Sequence, residues 1–382
     1  FGTNPINGQP FRGFWKQKYS TDGFTIWGAP QIDGTAVYPW ALWWHYKMQA
    51  NPAFLNSHYA SVWDAVKAMT TDSIDSRLRF EEAFNLIYTN NLWEDQYDTF
   101  IYSNANVVRG LRDASNIANR LGRPGDASYF NSLADTIQSG VNARLDWNGE
   151  NTDASQLGIV YPFETHAPID ARAVKVVDRI NGVATDRFGN NRPLVRFAGF
   201  PNDQYGWTDL IDRYFGDGYW GGGQPWGGGP WYLTTMWYGC YYAMRQDYIA
   251  GKGDIDNHKY RLDLLIDRLG PIGFGAEQIA PKFVNPGLPG SLLYPGQNDF
   301  VLQTAWPNAW ESMSFFVDSI FMFLGYEPNA GTNTITVRPK LPTAWTSMTY
   351  KNLEIGSGSV DLTISENAST GRYSQKVVNN TG

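Results

Sequence analysis

A series of helical patterns occupies most of this chain, from about residue 35 to residue 323. Within it, apolar residues recur at intervals of three and four, a spacing that predicts helices with one buried face. Between the helices lie long loops rich in Gly, Pro and Trp, and loops of this length in a compact domain favour a functional role. The patterns predict helices at 36–46, 59–69, 103–121, 124–145, 169–181, 230–250, 255–269 and 305–324.

The period of the pattern changes after Gly325. Apolar and polar residues then alternate, as in 334–338 and 360–364, which is typical of strands with one buried face. We therefore expect a mainly α-helical domain over residues 1–326 and a small β-rich appendage over 327–382. No sheet-closing strand is evident before Gly382, so the appendage is expected to be truncated.

Composition excludes several classes of function. The net charge of -7 and a pI of about 5.2, without a Lys/Arg cluster, disfavour nucleic acid and anionic membranes as partners. Cys240 is the single cysteine, and the four histidines show no metal-ligand spacing, so we expect no metal and no cofactor. A Ser nucleophile elbow is also absent.

Aromatic residues make up 15% of the chain, with 16 Trp and 22 Tyr. Their flat apolar faces and polar edges stack well on the C–H faces of sugars. Large residues filling a helical core would give the same composition, and composition alone favours neither interpretation.

Two glutamates stand in unusual local sequences, Glu94 in Asn-Leu-Trp-Glu-Asp and Glu277 in Gly-Ala-Glu-Gln. Cleavage of a glycosidic bond commonly needs one carboxylic acid to protonate the leaving oxygen and one carboxylate to activate water or attack carbon. Most acidic residues are solvated surface groups, so the pair gains meaning only from the sequence around it.

Five blocks supply that context, and they resemble the glucoamylase family, glycoside hydrolase family 15, in the family's order. The segment 27–36 resembles its Trp-Gly-x-Pro-Gln-x-Asp-Gly block, and 91–95 its Asp-Leu-Trp-Glu-Glu block. Arg213 and Tyr214 with Asp217 and Tyr219 look like its Arg-Tyr-x-x-Asp-x-Tyr block. The last two blocks lie at 230–235 and 276–278.

The resemblance implies an (α/α)6 toroid in which Glu94 is the general acid and Glu277 the general base. Trp93 would shield Glu94 from water and so favour the protonated form, whereas the neutral Gln278 beside Glu277 would not force protonation. Arg213 could instead be a surface charge or a salt-bridge partner. The residues that the resemblance implies for substrate binding are Trp27, Asp33, Trp93, Asp95, Arg213, Asp217, Trp231 and Trp306, with Asp95 on the leaving-side sugar.

Two departures from the family pattern concern its N-terminal part. No Trp-x-Arg-Asp segment precedes Trp27, and eight or nine helices are predicted where the toroid has twelve. We therefore expect the N-terminal hairpins to be missing, with another chain or segment supplying them. The helix near Asp33 should then expose an apolar stripe formed by Val37, Trp40, Ala41 and Trp44.

The leading hypothesis is an exo-acting inverting α-glycosidase that releases glucose from the non-reducing ends of α-glucans or related oligosaccharides. The departure of 304–309 from the family's Leu-Thr-Trp-Ser-Tyr-Ala leaves the substrate open. Alternatives are a lyase or a glycosidase for a uronate-containing glycan, whose carboxylates arginines would bind, and a non-catalytic carbohydrate-binding or structural protein. A secreted, polysaccharide-degrading role is expected. The loop 146–150 could hold calcium but is more typical of a solvated turn.

Overall fold

The structure is a computed structural model. It describes residues 2–71, 77–147, 150–197, 207–219, 229–269, 273–279, 292–293, 301–302, 308, 311–367 and 369–380.

Helices form the larger part of the molecule, as the periodicity predicts. The helix at 59–69 has the predicted bounds, and the others differ from prediction mostly at their ends. One short helix was not predicted; it begins after Asn51, whose side chain accepts a hydrogen bond from the amide of Phe54. Among the described residues the α-helices are α1 (Asp33–Gln49), α2 (Pro52–Ser57), α3 (Tyr59–Met69), α4 (Ile101–Arg120), α5 (Pro124–Asp146), α6 (Ala171–Ile180), α7 (Tyr232–Arg245), α8 (Gly253–Ile266) and α9 (Glu311–Met322).

The helices pack as a series of pairs. Helix α4 packs against α1 on one side and α5 on another, and α7 packs against α8 and α9. A buried 3₁₀ turn, Ala154–Ile159, lies between α4 and α7. This mainly α-helical arrangement is that of the (α/α)6 toroid, the fold class predicted from the sequence.

Close approach of the helices depends on glycine where α4 meets α1. A Cβ atom at Gly110 would lie 2.4 Å from the carbonyl oxygen of Ala36, a distance that real Cβ atoms essentially never show. The backbones of α1 and α4 therefore touch directly at this point, which fixes the two helices that follow Trp27 and Glu94 in the chain.

Strands occupy the segments before α1 and α4 and the C-terminal part of the chain. The described strands pair antiparallel in the sheets β1–β2, β3–β4–β5, β6–β7, β8–β9 and β10–β11–β12. Their bounds are β1 (Lys18–Tyr19), β2 (Thr25–Trp27), β3 (Arg79–Glu81), β4 (Leu86–Asn90), β5 (Tyr97–Asp98), β6 (Leu292–Leu293), β7 (Val301–Leu302), β8 (Glu327–Asn329), β9 (Thr334–Thr336), β10 (Ser347–Ile355), β11 (Gly358–Asn367) and β12 (Arg372–Asn379).

The C-terminal strands share a hydrophobic core with the helices. Leu262 and Leu265 of α8 belong to the same buried cluster as Met348 of β10 and Ile364 of β11. The chain changes from helices to strands between α9 and β8, and its division into two domains at residue 326 stays a prediction.

Helix α1 carries the predicted apolar stripe. Val37, Ala41 and Trp44 are exposed as expected, whereas Trp40 is half-buried and packs against the core. No helix in the described part of the chain has both the length and the apolar character needed to cross a bilayer.

Candidate active site

Most of the predicted site residues lie in the segments that connect the helices. Trp27 precedes α1, and Glu94 and Asp95 precede α4. Arg213, Asp217 and Trp231 precede α7, while Glu277 precedes α9. The segments are joined by isolated antiparallel bridges and by side-chain contacts. The bridges connect Asp153 with Tyr214, Asp212 with Pro230, and Trp231 with Gln278.

Glu94 lies in a tight turn between β4 and β5 that Asn91 holds in place. The Asn91 Oδ1 atom accepts hydrogen bonds from the amides of Asp95 at 3.0 Å and Gln96 at 3.3 Å, and its Nδ2 donates to Asp95 Oδ1 at 2.7 Å. Gln31 in turn donates to the Asn91 carbonyl at 2.7 Å. Glu94 itself has φ of 67°, a left-handed conformation that is costly for a residue other than glycine and is typical of functional sites.

The carboxylate of Glu94 faces a lysine rather than an apolar wall. Lys18 Nζ lies 3.2 Å from Glu94 Oε1, and about a third of the Glu94 side chain is exposed. The indole N–H of Trp93 donates to Asp153 Oδ2 at 2.9 Å. The contact that the structure shows for the Trp93 indole N–H is thus with the half-buried Asp153, and the shielding of Glu94 by Trp93 stays a prediction.

Asp153 connects two of the segments. Its second oxygen accepts the amide of Ser155 at 2.7 Å and so caps the 3₁₀ turn. Burial raises the pKa of Asp153 to about 6, although the hydrogen bonds from Ser155 and Trp93 favour its charged form. Sequence reasoning missed this residue, since an acidic residue before a turn has no distinguishing pattern.

Asp95 is tied to the segment that precedes α7. Its Oδ2 accepts a hydrogen bond from the Tyr214 hydroxyl at 2.7 Å across 119 positions of the chain. Burial and then this hydrogen bond raise the pKa of Tyr214 well above its usual value. The phenol therefore stays protonated and donates to the carboxylate.

Arg213 and Asp217 form a buried bidentate ion pair. Arg213 Nε and Nη2 donate to the two carboxylate oxygens at 2.8 and 2.7 Å, and both side chains are less than 5% exposed. Burial opposes the charge of the guanidinium, but the Asp217 carboxylate outweighs it and raises the pKa of Arg213. The guanidinium carbon lies 4.4 to 5.2 Å from the ring centroids of Trp93, Tyr214, Tyr219 and Trp231.

Glu277 is half-buried and contacts Tyr219. The Tyr219 hydroxyl donates to Glu277 Oε2 at 3.3 Å. The backbone amide of Tyr219 donates to Asp217 Oδ1 at 2.9 Å. The ion pair formed by Asp217 is thus linked to the second glutamate through one tyrosine.

The remaining predicted residues differ in exposure. Trp27 is half exposed on β2, with Lys18 Nζ 5.8 Å from its ring centroid, whereas Trp231 is almost fully buried. Asp33 is buried at the start of α1, where its Oδ2 accepts from Ser103 at 2.9 Å, and burial raises its pKa to about 6. Trp306 lies outside the described residues.

The described residues contain no cluster of three or more His, Cys, Asp or Glu side chains suited to a metal ion. At the loop considered for calcium, Asp146 pairs with Arg172. Glu150 accepts the amide of Ile101 at the start of α4, at 3.2 Å. Both carboxylates thus have protein partners.

Comparisons with known proteins agree with this architecture. A curated relative, an uncharacterized glycosyl hydrolase of Methanocaldococcus jannaschii, is 22% identical over 254 residues, which cover 63% of this chain and 35% of that protein. The chain thus spans about a third of the length of this relative.

Two solved structures share the fold. A sialidase superposes with a TM-score of 0.56 at 12% identity, over 91% of this chain and 31% of the other. The glucoamylase of Saccharomycopsis fibuligera superposes with a TM-score of 0.50 at 15% identity, over 80% of this chain and 73% of the other. At these identities the likeness concerns the fold alone.

The family assignment follows from the sequence. The model of glycosyl hydrolases family 15 matches residues 2–270, which is more than half of the chain and includes Glu94, Asp95, Arg213 and Asp217. The chain belongs to glycosyl hydrolases family 15.

Proposed function

We propose that this chain carries the catalytic groups of an exo-acting inverting α-glycosidase that releases glucose from the non-reducing ends of α-glucans or related oligosaccharides. Glu94 is the general acid that protonates the leaving oxygen. Glu277 is the general base that takes a proton from the attacking water.

One observation carries the proposal. The segments that carry the two glutamates are linked by one continuous series of contacts. Asp95, next to Glu94 in the chain, accepts from Tyr214, whose ring contacts Arg213; the Arg213–Asp217 ion pair then leads through Tyr219 to Glu277. Acidic residues scattered over a solvated surface would not be linked in this way.

The mechanism needs a water molecule between the two carboxyl groups. We expect the carboxyl groups of Glu94 and Glu277 to lie roughly 6.5–9.5 Å apart, the separation found in inverting glycosidases. Water then attacks from the face opposite the leaving group, and the sugar is released with inverted configuration.

The other residues hold the substrate. Trp27 is half exposed and offers a ring face for stacking on a sugar. Asp95 lies beside Glu94 and is expected to contact the leaving-side sugar. Arg213 and Asp217 bind each other through two hydrogen bonds in this structure, so their contribution to binding the glycone includes the rigid support that they give to Tyr214 and Tyr219.

Amide variants test the two catalytic roles. In the full-length protein, Glu94→Gln and Glu277→Gln should each reduce turnover of malto- or isomalto-oligosaccharides by roughly 10²–10⁴-fold, because the amide keeps the shape but cannot transfer the proton. Glu164→Gln is the matched control, since Glu164 also has a left-handed backbone (φ 55°) and a cationic partner, Arg109, at 3.7 Å.

The products discriminate between the reaction classes. An inverting hydrolase releases β-glucose first, which NMR detects before mutarotation. An unsaturated sugar would indicate a lyase, and tight sugar binding without turnover a binding protein. Retention of more than about a tenth of the activity in Glu277→Gln would exclude Glu277 as the base.

A further inference from the structure

We propose that Tyr219 is a positioning residue that orients the carboxylate of Glu277, and that the buried ion pair before it holds Tyr219 in place. The inference rests on the proposed role of Glu277 as general base. It assigns to Tyr219 a hydroxyl that affects the reaction through the Glu277 carboxylate.

The geometry fixes Tyr219 at three points. Its amide donates to Asp217 Oδ1 at 2.9 Å, and its carbonyl accepts from Gln278 Nε2 at 3.3 Å. Its ring lies under the Arg213 guanidinium, 4.8 Å from ring centroid to Cζ, and against the ring of Trp231, with 5.6 Å between centroids. A phenol ring packed against both groups has a restricted orientation, and its hydroxyl contacts Glu277.

The backbone around Glu277 supports the same arrangement. Gln278, the next residue, pairs with Trp231 in an antiparallel bridge and is buried. Gln278 also donates to the Tyr219 carbonyl, so the segment that carries Glu277 is bound to the segment that carries Tyr219. The tyrosine and the glutamate therefore cannot shift relative to each other without breaking these bonds.

A phenol is chemically suited to support a general base. A hydrogen bond donated to a carboxylate stabilises its ionised form, which is the form that accepts a proton. An ionised carboxylate has about four acceptor positions, and the bond from Tyr219 occupies one of them. A neutral partner also adds no charge beside the reacting sugar, in contrast to Lys18 at Glu94.

The ion pair extends this support into the interior. Asp217 is bound by Arg213 through both oxygens and still accepts the Tyr219 amide. The charged and titratable groups that connect with Glu277 through the described contacts are Tyr219, Asp217, Arg213, Tyr214 and Asp95. Asp95 is preceded in the chain by Glu94, whose carboxylate contacts Lys18.

Tyr219→Phe in the full-length protein tests the inference, since it removes the hydroxyl and keeps the ring that packs against Arg213 and Trp231. We expect kcat to fall about tenfold, the low end for a hydrogen bond to a charged group, because the bond is 3.3 Å long and the side chain is partly exposed. The KM should change less than about twofold.

The pH profile of kcat/KM distinguishes a positioning role of Tyr219 from a purely structural one. Loss of the donated bond should move the acidic limb of kcat/KM upward by about one pH unit, the equivalent of a tenfold change. Tyr260→Phe is the matched control, because the Tyr260 hydroxyl likewise donates to a carboxylate, that of Asp209, at 2.7 Å on the exposed side of α8. The control should leave kcat and the profile unchanged.

Two outcomes would overturn the inference. A Tyr219→Phe enzyme with wild-type kcat and an unmoved acidic limb excludes the positioning role, and so does a change confined to KM. The Glu277→Gln variant, measured in parallel, distinguishes this failure from that of the proposed function. If Glu277→Gln stays active, Glu277 is not the base; if it is inactive while Tyr219→Phe is unaffected, only the role of Tyr219 is wrong.

Discussion

Replacing Asp217 with Asn should lower the free energy of unfolding by roughly 3–5 kcal/mol, the range for breaking a buried ion pair by removing one partner. The change keeps the size of the side chain. It removes the negative charge that compensates Arg213, whose side chain is only 4% exposed. The cost arises because a guanidinium is left charged and buried.

The structure indicates that the surrounding rings cannot replace the carboxylate. Four aromatic centroids lie within 5.2 Å of the Arg213 guanidinium carbon, and a cation–π contact contributes about 0.5–2 kcal/mol. These contacts exist already in the native protein, so they add nothing when Asp217 is lost. Water does not solvate the charge either, because burial excludes it.

The chain offers a control with the same spacing. Lys259 and Asp263 also stand four residues apart, with 2.6 Å between Nζ and Oδ2, but half of the Asp263 side chain is exposed. Exposed pairs at this spacing contribute about 0.3–0.5 kcal/mol, so Asp263→Asn should have an effect of that size. Because both pairs have the same spacing, the difference in stability between the two variants measures the effect of burial.

Denaturant unfolding at neutral pH, followed by tryptophan fluorescence and circular dichroism, measures the difference. A double variant, Arg213→Met with Asp217→Leu, should recover much of the stability lost in Asp217→Asn, since it removes the buried charge altogether. The reasoning is refuted if Asp217→Asn and Asp263→Asn lower the free energy of unfolding equally.

Two further predictions concern the helices. Gly110→Ala should destabilise the folded protein by about 1–3 kcal/mol, because its added Cβ clashes with the backbone of Ala36. Gly34→Ala has no atom near its added Cβ and should stabilise α1 by up to about 1 kcal/mol. Thermal unfolding of the two variants measures the sign of both effects. Burial raises the pKa of Glu150 to about 8 from 4.5, so the folded state holds a proton that the unfolded state releases. Stability should therefore fall as pH rises from about 4.5 to 8, and Glu150→Gln should flatten that slope in unfolding measured across this range.

The helices could be predicted because their signal is local. Periodic apolar residues within one segment indicate a helix, and the segment 59–69 has the predicted bounds. The sheet β3–β4–β5 was not predicted, because strands of two to five residues contain too few positions for an alternating pattern to be distinguished from a loop.

The sequence could predict which residues form the site, but not the contacts between them. The motifs identify Glu94, Asp95 and Asp217 one by one, but the contacts that join them cross long stretches of sequence. The Asp95–Tyr214 bond crosses 119 positions and the Lys18–Glu94 contact 76. Neither follows from local spacing, because such pairs are set by how the helices pack and not by the segments themselves.

The environment of Glu94 has a physical origin of the same kind. Successive side chains point in different directions in strands and helices alike, and Glu94 adopts a left-handed conformation outside both. The indole N–H of Trp93 donates to the half-buried Asp153, while the carboxylate of Glu94 contacts the exposed Lys18. A residue beside a carboxylate in the sequence decides its environment only if the local backbone brings the two side chains together, and the cation beside Glu94 comes instead from 76 positions away in the chain.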